Sequence, residues 1–146
     1  MDFPEGRLNL YLTEMHEPFD GAIRLVVTEA EPGVAENIQI GGAEFGEGQP
    51  IVISDDSRRF EILWNSYVTY AVCNKSYRTA EASEIFVSHF RQHFKSAFLH
   101  YVSSTTLADA IHPGKLQHWE LITLNHCVDV VSVDAPSIRL IETTGN

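Results

Sequence analysis

Cysteine is nearly absent from this chain, a long apolar run is missing altogether, and no stretch carries an excess of positive charge. Each absence closes off a class of answer. The two cysteines among 146 residues, Cys73 and Cys127, are too few for a disulfide scaffold. Each lies in an apolar, strand-like run, where a free thiol behaves as a small hydrophobe, so no bridge between them is expected. No apolar stretch nears the roughly 18 residues that a membrane-spanning helix needs. Met1 to Arg7 holds no basic segment leading into an apolar one, so no secretory signal is expected. These exclusions point to the cytoplasm and away from a membrane.

Positive charge is scarcest where negative charge is densest. Residues 1–61 hold 13 Asp and Glu against four basic residues (Arg7, Arg24, Arg58, Arg59), a net of −9 within the total of −10. Residues 62–146 are nearly balanced, with seven acidic and six basic. Such an acidic half repels a phosphate backbone and argues against nucleic acid as a partner. It reads most simply as a solvated surface, and more sharply as a docking face for a basic protein partner.

What is present is the composition of an ordinary globular protein. Hydrophobic residues are 44% and charged residues 21%, so neither the disordered nor the fibrous class applies. The length suits one domain, 1–146, able to bury about 68–70% of its unfolded surface without staples. No repeat or low-complexity linker divides it.

The apolar pattern is mainly of period two. Leu8, Leu10 and Leu12 alternate with polar residues, and Ile23, Leu25 and Val27 do so after a turn at 17–21. Shorter pieces follow at Asn37–Ile40 and Pro50–Ile53, around a glycine-rich loop at 41–48. Phe60, Ile62, Trp64, Val68, Tyr70 and Val72 predict one long strand over 60–73, bending at Asn65–Ser66. Strand character returns at 119–124, 127–133 and 138–141. Between these groups the spacing of Phe86, Phe90, Phe94, Ala97, Phe98 and Tyr101 reads as a helix over about 79–104, capped by Thr79. The predicted fold is α+β: a mainly antiparallel sheet or half-barrel packed on one long amphipathic helix. A bare sheet face or edge would suit a second copy, making a homodimer.

Residues able to carry chemistry are few. On a helix His89 and His93 have metal-ligand spacing, but His100 lies too far along the axis to complete a site, and no HExxH occurs, so no metal is assigned. His126 with a nearby carboxylate, from a group that also holds His118, Glu120 and Asp129, could pair a base with its orienter. No nucleophile is marked beside it, since Cys127 would point to the opposite strand face. The glycine-rich loop lacks the Gly-Lys-Ser/Thr ending of a phosphate loop and carries two glutamates. The expected ligand-contacting residues are Trp64, Tyr70, His93, His100 and His126, around a cavity between helix and sheet. No catalytic residue and no cofactor is assigned. The function favoured is a non-enzymatic binding protein acting through a protein partner, as an immunity protein does; a ligand-binding protein or enzyme using that cavity is the alternative.

Four stretches (Ser57–Ile62, Tyr67–Tyr77, Phe98–Val102 and Leu124–Val131) together resemble a set of small bacterial proteins to which no function is attached. The resemblance spans roughly residues 50–133. It implies a stand-alone bacterial protein of the kind carried on mobile gene cassettes, and it transfers no active-site residue.

Overall fold

Alternating apolar and polar residues run through most of this chain, and strands are what they build. The computed structural model describes residues 1–33, 36–40, 43–48, 51–78 and 88–141. In chain order the strands are β1 (Leu10–His16), β2 (Ile23–Glu29), β3 (Glu31–Pro32), β4 (Glu36–Ile40), β5 (Ala43–Gly48), β6 (Ile51–Val52), β7 (Arg59–Trp64), β8 (Tyr67–Asn74), β9 (Phe90–His93), β10 (Gln117–Ile122), β11 (His126–Ser132) and β12 (Ser137–Ile141). One α-helix is found among the described residues, α1 (Ala97–Thr105). It is far too short to cross a membrane.

While β3 pairs with β6 and β4 with β5, two four-stranded antiparallel sheets hold the other eight strands, in the orders β1-β2-β7-β12 and β8-β11-β10-β9. Their facing residues form one apolar cluster. The first sheet supplies Leu10, Leu12, Ile23, Leu25, Val27, Phe60, Ile62 and Trp64; the second supplies Trp119, Leu121, Val128 and Val130. Trp64 bridges them, with its ring 6.1 Å from Phe90 and 6.3 Å from Trp119. Phe3 enters from the N-terminal segment and packs on Phe60 and Phe90. Each such buried ring contributes about 1.5–3 kcal/mol.

The run 60–73 bends where expected, and the bend changes sheets. Trp64 pairs with Ile23 in the first sheet, while Tyr67 to Asn74 pair with β11 in the second. Residues 43–48, expected within a loop, are strand β5 paired with β4.

The long helix over 79–104 is not formed. Residues 79–87, with the Thr79 cap, lie outside the described residues; 90–93 are a strand, and α1 starts only at Ala97. The reason is local. Phe90 turns into the core against Phe3 and Trp64, whereas Arg91 and His93 both reach Glu120 from the other face. That is period two, and β10 supplies its backbone partners. The helix begins instead at Ser96, whose Oγ accepts the Leu99 N–H at 3.0 Å. It ends where Ser103, Ser104, Thr105 and Thr106 each donate a hydroxyl to the carbonyl four residues back. The apolar core therefore lies between the two sheets, and α1 sits on the outer face of the second, with Phe98 against His118 and Val102 fully buried.

Candidate functional site

Strand alternation sends Trp119, Leu121, Val128 and Val130 to the core, so His118, Glu120 and Asp129 emerge on the outer face of the second sheet. Arg91 and His93 on β9 share that face. An outer face would normally be wet, yet His118 and Glu120 are both buried, under α1 and the side chains gathered there.

Glu120 is the electrostatic centre. Its carboxylate takes Arg78 at 2.7 Å, Arg91 at 2.8 Å and His93 Nε2 at 3.1 Å. Burial alone would raise its pKa. The His93 and Arg91 hydrogen bonds and the Arg78 charge overcome that and hold the carboxyl at about 2.

Beside this centre runs a second set. Ser96 Oγ lies 2.7 Å from His118 Nδ1, and His118 Nε2 lies 2.8 Å from Asp129 Oδ1. The imidazole is held between the ring of His93, stacked at 4.8 Å, and that of Phe98 at 5.2 Å. The Asp129 carboxylate can only accept, so Nε2 carries a proton towards it. In the neutral imidazole that leaves Nδ1 as the acceptor for the Ser96 hydroxyl, whose oxygen also accepts from the Leu99 N–H. Ser96 is half-buried and opens on a groove of about 310 Å³ lined by Phe94, Lys95, Leu99, His100 and Ser103. Hydroxyl, imidazole and carboxylate in series are the components of a nucleophile, a base and its orienter.

The expected ligand-contacting residues are spread over several places. His93 joins the Glu120 cluster and stacks on His118; His100 lines the groove beside Ser96. Trp64 is buried in the core, and Tyr70 packs against that core, edge-on to Tyr67 at 4.8 Å. His126 opens β11 opposite Asn74, its Nδ1 buried without a hydrogen-bond partner. His126 makes no side-chain hydrogen bond to a carboxylate among the described residues; the histidine that meets Asp129 is His118. His89 and His93 do not share a ligand: His89 Nε2 accepts the Leu8 N–H at 3.0 Å, and no cluster of three metal-ligating side chains occurs among the described residues. Sequence reasoning missed Ser96 and Arg78. Ser96 was legible as a cap, since it directly precedes Ala97-Phe98-Leu99, but the longer phenylalanine spacing placed it inside a helix.

Cys73 and Cys127 stand directly opposite each other on β8 and β11, as free thiols. Two residues further on, the Lys75 N–H donates to Asn125 O, which makes both positions hydrogen-bonded pairs of the ladder. In such pairs the Cβ atoms stand near 5.5 Å, beyond the roughly 3.5–4.5 Å that a disulfide needs. Ladder geometry keeps the two thiols apart.

Compared with known proteins, the chain matches no protein-family model, no curated protein and no solved structure. The site is therefore read from its own chemistry.

Proposed function

We propose that the protein is a small hydrolase of the acyl-transfer class, with Ser96 as nucleophile, His118 as general base and Asp129 as the group that orients and steadies the imidazole. The observation that carries this is the single imidazole bridging Ser96 and Asp129 at 2.7 and 2.8 Å, with Ser96 on the wall of an open groove. The Ser96 oxygen attacks the carbonyl carbon of a bound ester while its proton passes to His118 Nδ1. The alcohol leaves with that proton, giving an acyl-serine. Water, giving its own proton to Nδ1, then releases the acid and restores the hydroxyl. Ala97 and Phe98 open α1, so their N–H groups have no acceptor within the helix and are the donors available to the oxyanion.

A competing reading is that the three side chains only fasten α1 to the sheet, and it has its own observation: Ser96 Oγ caps the helix through Leu99. The two readings separate on one experiment. A fluorophosphonate probe, followed by mass spectrometry, labels Ser96 in the unmodified protein if it is a nucleophile. Ser96→Asn keeps a helix-capping side chain and should melt close to the parent, but takes no label. A parent protein that is not labelled at Ser96 refutes the hydrolase.

The protein-partner reading draws its support from acidic charge in the first 61 residues. On the strands of the first sheet those carboxylates are already matched: Glu14 with Arg24 and Arg59, Glu29 with Arg58, and Glu61 with Arg24 and Arg139. The other acidic residues of the first 61 lie outside that sheet, at Asp2, Glu5, Glu17, Asp20, Glu31, Glu36, Glu44, Glu47, Asp55 and Asp56. That leaves the sheet face a weaker magnet for a basic partner than the composition suggests.

A further inference from the structure

Resting on that reading of Ser96, we infer that the substrate is an ester whose acyl chain is apolar next to the carbonyl and ends in an anion. The groove beside Ser96 meets a second one, of about 350 Å³, at Leu99 and Ser103 of α1. The second is lined by Ala108, Asp109, Ala110, Lys115 and Leu116. Together they make a trough along the helix, with Ser96 and Lys95 at one end and Lys115 at the other.

Two features of the trough select the substrate. Its wall is apolar where an acyl chain would lie, at Leu99, Ala108, Ala110 and Leu116. Its charge runs against that of the protein: the chain carries 20 acidic residues and only three lysines, and two of the three border this trough. Both are exposed, and neither forms an ion pair with a carboxylate among the described residues. The trough also holds one carboxylate, Asp109, kept ionised by the His112 and Ile111 N–H groups that it accepts at 2.9 and 2.8 Å, so the two lysines leave the trough with one positive charge in excess. Two exposed cations against one carboxylate, flanking an apolar channel on an anionic protein, complement a chain with a terminal carboxylate, drawn in by Coulomb attraction and held by burial of its methylenes. A neutral ester uses only the second of these.

The test compares a neutral ester, p-nitrophenyl butyrate, with an anionic one, the mono-p-nitrophenyl half-ester of adipic acid, on the full chain at low salt. The half-ester should have the higher kcat/KM, by about three- to tenfold from two exposed charge pairs. Added salt should erase that preference. Lys115→Gln and the double variant Lys95→Gln, Lys115→Gln should bring the ratio of the two kcat/KM values towards one, mainly through KM. If both esters are cleaved with a ratio near one in parent and variants alike, the anionic substrate is refuted while the serine hydrolase stands. If neither ester is cleaved and Ser96 takes no fluorophosphonate label, both fall together.

Discussion

Across the ladder between β10 and β11, His118 Nε2 and Asp129 Oδ1 meet at 2.8 Å although the two residues are diagonal neighbours, each directly opposite another side chain. The diagonal lets Asp129 hold the imidazole from the side away from Ser96. Asp129→Asn keeps an acceptor for the Nε2 proton but removes the charge that steadies the imidazolium formed when Ser96 gives up its proton. Fluorophosphonate labelling of Ser96 should slow by roughly a hundredfold or more, with the circular dichroism spectrum unchanged. Equal labelling rates would show that Asp129 is only a structural acceptor.

Acid should loosen the protein in two stages. Burial depresses the His89 pKa below its ordinary value, more strongly than the Ile122 carbonyl raises it, so the folded state holds this imidazole neutral. Its contribution is present above the unfolded pKa of about 6.5 and is lost as pH falls through the lower folded value. Protonation removes the acceptor for the Leu8 N–H, which helps hold the segment carrying Phe3. Glu61 and Glu120, both held at about 2, lose their contribution only below about 4.5. The melting temperature should fall modestly between about pH 7 and 5 and steeply below 4.5, and His89→Gln should flatten the first step alone. A melting temperature that rises on acidification from pH 7 would contradict this.

Glu61 is the shared anion of the first sheet's outer face, taking Arg139 through both oxygens and Arg24 through one. Arg139's hydrogen bonds, with those of Arg24, outweigh burial in lowering its pKa. Glu61→Gln keeps the shape but replaces charge-assisted bonds with neutral ones, taking the anion from Arg139 and leaving Arg24 with Glu14 alone. A loss of about 1–3 kcal/mol is expected in urea unfolding. The variant should also lose part of the steep acid limb below pH 4.5. No change in the unfolding midpoint would mean that solvent screens the pair.

The β-rich character and a bend at Asn65–Ser66 were legible, because each rests on local alternation and turn chemistry; that the chain changes sheets there was not. The second half of the site was not. His118 and Asp129 lie on strands that were recognised, yet their partner Ser96 lies more than 20 residues earlier in a segment assigned to the wrong period. Phe86, Phe90, Phe94 and Phe98 recur every four residues, and that spacing fits one helix face as readily as it fits same-side positions on a strand running into a capped helix. Nothing local decides between them. The decision comes from β10, whose backbone completes a ladder with Phe90 to His93.

That decision predicts opposite behaviour for two phenylalanines four residues apart. On one amphipathic helix, Phe90 and Phe94 would share the buried face, and truncating either would be comparably damaging. In the observed strand Phe90 packs on Phe3 and Trp64, while Phe94, past its end, is 75% exposed. Phe90 is half-buried against that core, so Phe90→Ala should cost about 2–3 kcal/mol, below the roughly 3–5 of a fully buried aromatic. Phe94→Ala should stay within about 0.5 kcal/mol of the parent. Urea unfolding of the two variants beside the parent measures the difference. Similar losses from both would restore the single helix and dissolve the strand that carries Arg91 and His93 to Glu120.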